Sequence, residues 1–312
     1  MTHSSSKRLL ITGASGFLGW HLCDYASNAW QVHGTYFTHP LKLPKAILHP
    51  VDLTDRSEVL KWLQHLQPDA VIHTAALSKP NRCEQEQELS FLTNVEATRT
   101  LAEFCGSQHI PLVFTSTEQV FDGESAPYRE TSPPTPINVY GRHKVAAEQL
   151  IQALHPEAVI CRMPLMYGPP TPHGESFVQG FLRKLSAGDP LPLFVDEHRS
   201  PAYVEDAAQG LLLALKKGSG ILHLGGPERI SRYEFGLLLT NIFNLNPGSI
   251  APCYRADVPM PAARPADLTT LNERANAIGY CPQTPGQGLL TMKRRLEDLN
   301  TKAGPKEKPS LH

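Results

Sequence analysis

The segment NVYGRHKVAAEQLI, residues 138–151, sets a phenol, Tyr140, four positions ahead of an amine, Lys144. On a helix, positions i and i+4 share a face, so both groups can meet one ligand. A free tyrosine keeps its proton up to about pH 10, too high for easy exchange near neutrality. A neighbouring ammonium favours the phenolate, and each pH unit of lowering corresponds to about 1.4 kcal/mol. Such a pair suits proton delivery to a substrate oxygen in a redox site. Standing alone it would serve equally well as two neighbours on a surface helix, so the rest of the chain has to decide.

A second feature supports the redox reading. The run LLITGASGFLGWHL puts Gly13, Gly16 and Gly19 directly after a strand-like segment and at the start of a helical one. Gly13 permits a tight turn, Gly16 a close approach of backbone to phosphate, and Gly19 close packing of helix on strand. With Ser15, Phe17 and Leu18 these residues build a turn whose helix N-terminus offers free N–H groups to a dinucleotide pyrophosphate. A bound nicotinamide would supply hydride where Tyr140 supplies the proton, and its positive oxidised ring would also favour the phenolate.

The elements that must carry these groups are legible as an alternation. Strand-like runs RLLITG, QVHGTYF, DAVIHTAA, PLVFTSTEQVF and EAVICRMPLMYG are separated by helical patterns FLGWHLCDYASNA, RSEVLKWLQHLQ, ELSFLTNVEATRTLAEFCGSQ and KVAAEQLIQAL. This order predicts an α/β fold with a Rossmann-type, doubly wound parallel sheet covered on both faces. After about residue 165 proline and glycine cluster, as in PLMYGPPTPHG and PGSIAPCYRADVPMPAARPADL, which predicts a smaller, irregular C-terminal substrate lobe. The helical VEDAAQGLLLALKKG and strand-like GILHLGG return to the first pattern. The expected division is therefore a dinucleotide-binding domain over 1–165, rejoined by 203–225, and a lobe over 166–202 and 226–300. The polar tail 301–312 is expected to be disordered.

Composition narrows the function. The 312 residues carry a net charge of −1, which builds in no attraction to nucleic acid or an anionic membrane. No apolar run approaches the roughly 20 residues that cross a bilayer, and the N-terminal stretch lacks the pattern of a secretory signal. Six scattered cysteines, without CxxC or metal-ligand spacing, read as free thiols in the cytoplasm, with no metal site.

The spacing G-x-x-G-x-x-G, as ITGASGFLG, resembles the extended short-chain dehydrogenase/reductase family. The resemblance continues through VDLTD, whose Asp52, followed by Leu53, matches the acidic residue near the adenine. HTAALS resembles the turn beneath the nicotinamide-side ribose, with Ala75 and Ala76, and LTNVEAT holds the Asn, here Asn94, that steadies the central strand–helix packing. The long run from FTSTEQVFDG to VAAEQLI, together with SPAYVEDAA and ARPADLTTLN, is similar to the dTDP-4-dehydrorhamnose reductase branch. That branch also includes a regulator, the beta subunit of methionine adenosyltransferase. Register against the family implies Thr117 as the hydroxyl completing a catalytic set with Tyr140 and Lys144, Ser116 being the neighbour with which it could be confused. Where rhamnose-type reductases place Asp-Tyr after the Thr, this chain has Glu118-Gln119. Gln119 cannot act as a base, which disfavours dehydration. Glu118 could hold a substrate hydroxyl or stand as a solvated strand-end carboxylate.

For cofactor choice, the end of the second strand, GTYFTHPLKLPK, has no acid to bond a ribose 2′-OH. Tyr36, Thr38 and His39 are neutral donors there and Lys42 is near, which favours NADP(H), with NAD(H) accepted if these residues form only a loop. Arg199 falls where related enzymes hold a nucleotide diphosphate, and Arg264 is a second candidate, since a guanidinium fork matches phosphate. Lys79 and Arg82 follow the HTAALS turn. Three functions remain open. The first is NAD(P)H-dependent reduction of a carbonyl on a nucleotide-linked sugar. The others are nucleotide-sugar epimerisation with bound NAD, and a cofactor-binding regulatory subunit without turnover. A homodimer through helices of the main domain is a further expectation from the family.

Overall fold

The computed structural model describes residues 7–40 and 42–302. Seven strands form one parallel sheet. They are β1 (Arg8–Thr12), β2 (Gln31–Tyr36), β3 (Ala46–Pro50), β4 (Ala70–His73), β5 (Leu112–Thr117), β6 (Val159–Met163) and, much later in the chain, Ile221–His223. The spatial order is Ile221–His223, β6, β5, β4, β1, β2, β3. The order reverses between β1 and β4, and in such sheets ligands bind beyond the C-terminal strand ends at this point.

Helices α1 (Phe17–Ala26), α2 (Arg56–Leu66), α3 (Pro80–Gln85), α4 (Gln87–Phe91), α5 (Ala97–Ser107) and α6 (Val139–Leu154) connect the strands. The period-2 alternation of a strand divides the core. Leu9, Ile11 and Ile72 face a cluster with Leu18 and Leu22 of α1, while Leu10 and Val71 face Leu63 of α2, Leu101 of α5 and Ile151 of α6. Both faces are therefore buried, which is why the central strands read as continuous apolar runs rather than alternating ones. Capping sets two helix starts: Asp55 accepts from Glu58 N at 3.1 Å, and Asn138 accepts from Gly141 N at 2.8 Å.

Strand β3 has no counterpart among the sequence-stretch expectations. It lies at the sheet edge, where little of AILHP is buried and the apolar signal is correspondingly weak. The helix expected over 88–108 is interrupted by a π-turn at Leu92–Glu96 that carries Asn94.

Beyond β6 come β7 (Met166–Tyr167), α7 (Phe177–Ala187), β8 (Leu191–Phe194), β9 (His198–Arg199), β10 (Ala202–Tyr203) and α8 (Val204–Lys217). They are followed by β11, the sheet strand Ile221–His223, then β12 (Ile230–Ser231), α9 (Arg232–Phe243), β13 (Ile250–Cys253), α10 (Glu273–Ala277) and α11 (Pro285–Lys302). Segment α8–β11 packs on and pairs with the main sheet. The remainder builds a lobe around Tyr167, Tyr203, Phe235, Leu239 and Met292. The prolines lie mostly between its elements, and three helices give the lobe more regular structure than the proline content implies. Capping boxes start two of them, Ser176 with Gln179 and Ser231 with Glu234.

One stretch of the expected lobe leaves it. Ala275 and Tyr280 join the main-sheet cluster, and the Tyr280 hydroxyl donates to Leu224 O at 2.9 Å. Helix α11 takes Thr301 and Lys302, the first residues of the expected tail, and 303–312 lie outside the described residues.

Candidate active site

The glycine turn closes the C-terminal end of β1. Gly13 has φ +71°, and a Cβ there would meet Ala75 Cα at 2.8 Å, so the turns after β1 and β4 touch backbone to backbone. A Cβ on Gly19 would overlap the Gly13 carbonyl oxygen and lie 2.8 Å from its carbon. Gly16 is exposed and caps α1 without a side-chain acceptor, leaving the first-turn N–H groups of Phe17 and Leu18 for a ligand. Ser15 and Phe17 are half-buried, while the Leu18 side chain belongs to the core and only its backbone faces the turn. This cradle fits a dinucleotide pyrophosphate.

The neighbouring turn is fixed by one hydroxyl. Thr12 Oγ1 accepts from Thr74 N and Ala75 N at 3.1 and 3.2 Å. Its own hydrogen is then free to go to His73 Nδ1, 2.6 Å away, which leaves His73 Nε2–H to donate to Thr98 Oγ1 at 3.1 Å. Burial drives the His73 imidazole down to about 3, so it stays neutral. Asn94 holds the next residue from both sides, accepting from Leu77 N at 2.9 Å and donating to Leu77 O at 3.0 Å. Ala75 and Ala76 are thus presented, half-buried, on a rigid turn.

Around the β2 end, Tyr36 is half-buried and Thr38 and His39 are exposed. The His39 ring stacks on His173 with centroids 5.0 Å apart. Asp52 is exposed and turns its carboxylate onto Thr54, accepting from N at 2.9 Å and from Oγ1 at 2.6 Å; Leu53 packs inward.

Tyr140, Lys144 and Thr117 are brought together under cover, with 7%, 1% and 6% of their surface exposed. The ambiguity between Ser116 and Thr117 resolves because alternate residues of β5 face opposite ways. Ser116 donates to Glu148 on α6, whereas the Thr117 hydroxyl lies on the Tyr140 side and tends to lower the phenol. Burial outweighs that influence and pushes the phenol up. The expected lowering of Tyr140 by Lys144 is absent from this state. Lys144 is itself pulled down to about 7 by burial, with its Nζ 3.9 Å from the centre of the Phe114 ring.

The substrate-side candidates behave differently from expectation. Arg199 is 5% exposed and tied internally, its Nε 3.2 Å from Glu118 Oε1 and its Nη2 3.4 Å from Glu197 Oε1. It is therefore not an open fork awaiting a diphosphate, because two carboxylates already use it. Glu118 is equally buried, not a solvated strand end, and burial raises its carboxyl against the pull of Arg199. Its Oε2 and the buried Nη1 of half-buried Arg232 have no hydrogen-bond partner among the described residues. Gln119 accepts from Asn138 Nδ2 at 3.0 Å, and half-buried Arg264 donates to Asn81 at 3.4 Å. Arg82 pairs with Glu86 at 2.8 Å and Lys79 is exposed.

A family model for the RmlD substrate binding domain matches residues 7–290. The chain belongs to this family. Among similar proteins of the RmlD type, the probable low-salt glycan biosynthesis reductase Agl14 of Haloferax volcanii is 32% identical, covering 82% of this chain and 86% of its own. Methionine adenosyltransferase 2 subunit beta of Xenopus laevis is 30% identical over 90% and 85%. The crystal structure of dTDP-4-dehydrorhamnose reductase from Bacillus anthracis in complex with NADP superposes with a TM-score of 0.80 at 26% identity, covering 93% of this chain and all of that one. Family membership agrees with the resemblance carried by the glycine turn and the run from Thr117 to Lys144.

Several residues that matter in this RmlD-type chain went unnamed in the sequence. Glu148 sits four residues after Lys144, a spacing readable on any helix. Asn138, just before the helical run, is a legible cap. Glu197 and Arg232 had no local signal, since only tertiary folding brings them to Arg199.

Proposed function

We propose that the chain is an NAD(P)H-dependent reductase of a carbonyl on a nucleotide-linked sugar. The observation that carries this reading is the joint burial of Thr117, Tyr140 and Lys144 at the C-terminal end of β5 and the start of α6, in a sheet whose strand order reverses next to the glycine turn after β1. Gly13, Ser15, Gly16, Phe17, Leu18 and Gly19 would hold the pyrophosphate, and Ala75 and Ala76 would line the nicotinamide side. When bound, the nicotinamide supplies hydride. Tyr140 gives its proton to the carbonyl oxygen, Thr117 orients that oxygen, and Lys144 bonds the ribose and stabilises the phenolate left behind. Burial of the phenol excludes water from the proton-transfer step.

The β2 end supports NADP(H) over NAD(H), since Tyr36, Thr38 and His39 include no acid to repel a 2′-phosphate. Six free cysteines, four of them buried, support a cytoplasmic setting. Exposed Leu89, Phe91 and Leu92 on the α4 side support pairing of two copies.

The test is oxidation of NADPH by purified protein with a dTDP-4-keto-6-deoxysugar. Turnover that disappears in Tyr140→Phe, with cofactor binding retained, supports the assignment; no turnover with any nucleotide-linked keto-sugar overturns it. The neutralised Arg199 favours one other reading, a cofactor-binding regulatory subunit like that of methionine adenosyltransferase. Stable co-elution with a methionine adenosyltransferase catalytic subunit, without NADPH oxidation, would establish that role instead.

A further inference from the structure

Glu148 lies one turn beyond Lys144 on α6, so both side chains point at the same stretch of sheet. The carboxylate is 3% exposed. Its Oε1 accepts from the Ser116 hydroxyl on β5 and from Arg162 Nε on β6 at 3.0 Å, and its Oε2 accepts from Arg162 Nη2 at 2.8 Å. Arg162 is 2% exposed, lies over the Phe121 ring at 5.0 Å, and sets Nη1 3.5 Å from His223 Nε2. A bidentate fork of this kind fixes the carboxylate in direction as well as place.

The groups facing Lys144 come from three elements. Tyr140 precedes it on α6, Cys83 approaches from α3 and His73 from β4. Burial raises the phenol and the thiol and lowers the imidazole, so all three are uncharged near neutrality. Glu148 is then the anion that acts on the ammonium, and among the influences on Lys144 it is the largest opposing burial.

We propose that Glu148, clamped by Arg162 and Ser116, is a positioning residue that keeps Lys144 cationic and thereby sets the pH range over which the chain holds a nicotinamide dinucleotide. The inference rests on the reading that Lys144 bonds the cofactor ribose. A cationic donor makes the stronger hydrogen bond, so affinity falls as Lys144 loses its proton.

The two members of the clamp should act in the same sense. Glu148→Gln removes the anion and leaves the Arg162 cation nearby, so Lys144 loses its proton at lower pH. Arg162→Gln takes the guanidinium from a buried carboxylate, and a carboxylate buried without its partner gives up its charge, so Lys144 loses its proton at lower pH here too. The experiment is fluorescence titration of the full chain with NADPH from about pH 6 to about pH 9, without substrate, with thermal unfolding run alongside. Affinity in the wild type should fall on the alkaline side. That limb should move down by about one pH unit in Glu148→Gln, roughly tenfold in affinity above it, and down by a smaller amount in Arg162→Gln.

Equal weakening at every pH with the limb unmoved, or movement of the limb upward in either variant, overturns the proposal. A wild type that binds NADPH with no alkaline limb overturns it while leaving cofactor binding intact, whereas no NADPH binding at all removes the cofactor reading as well. Should a glutamine variant fail to fold, Glu148→Asp and Arg162→Lys carry the test. Each keeps its charge and should keep the limb near its wild-type position, and a displaced limb overturns the proposal.

Discussion

Replacing Arg199 by methionine asks what this guanidinium does. Its side chain is 6% exposed and the Glu118 and Glu197 side chains 5% and 10%. Removing one partner from a buried ion pair costs about 3–5 kcal/mol, because a charge is left without compensation. Glu197 retains Arg232 at 4.0 Å, so Glu118, whose Oε2 already lacks a partner, bears most of the loss. We expect about 4 kcal/mol at neutral pH, read from urea unfolding followed by fluorescence and circular dichroism. The sign of the pH dependence follows from linkage. Without the guanidinium the Glu118 carboxyl rises further above its unfolded value of about 4.3, so the folded state holds a proton that the unfolded state has released. Burial already holds this carboxyl at about 8 in the wild type, so both proteins share the loss above about pH 4.3 and the variant's extra penalty grows only as pH rises through about 8. The difference from wild type should be larger at about pH 9 than at about pH 6. Adding Glu118→Gln to the methionine variant should recover part of the stability and flatten this dependence. The reasoning fails if Arg199→Met unfolds within about 1 kcal/mol of wild type and instead loses more than about tenfold in nucleotide-sugar affinity, since Arg199 would then be a substrate anchor.

Three further outcomes can be checked directly. Gly19→Ala should cost about 2 kcal/mol in thermal unfolding, because its Cβ meets only backbone, and an overpacking cost of about 1–3 kcal/mol exceeds the helix-propensity gain of about 1 kcal/mol. Gly16→Ala, exposed and 3.2 Å from Gly13 O, should leave unfolding nearly unchanged yet weaken NADPH binding in titration. Asn94→Ala strips the Leu77 N–H of its partner and leaves the Leu77 C=O only the weak Cys83 thiol donor, and should lower stability by about 1–3 kcal/mol by denaturant unfolding, together with cofactor affinity.

The parts of the molecule that sequence revealed are those where local pattern and tertiary role agree. Parallel strands buried on both faces leave long apolar runs, so β1, β2, β4, β5 and β6 were readable, as was the glycine turn between β1 and α1. Strand β3 was not, because an edge strand with one half-exposed face writes only a faint pattern. In the lobe, SFVQ and SRYE are helix-start signals that were overshadowed by neighbouring prolines. The catalytic candidates followed from i, i+4 geometry and family register. Arg199 shows the limit: its residue type fits phosphate, but two carboxylates, one of them adjacent to Thr117, reach it only through the fold. The state of Lys144 was likewise hidden, since burial over Phe114 is a property of packing.

The return of residues 273–280 to the main-sheet core has a practical meaning for the chain's architecture. The lobe is inserted between segments that both belong to the nucleotide-fold half, and α11 afterwards closes back over Tyr167 and Tyr203. Cutting near residue 226 would deprive the first half of Tyr280, which fills the space beside Leu224, and the second half of the aromatic pair that α11 covers. Neither fragment inherits a finished interior, so the protein is one cooperative body threaded twice through itself.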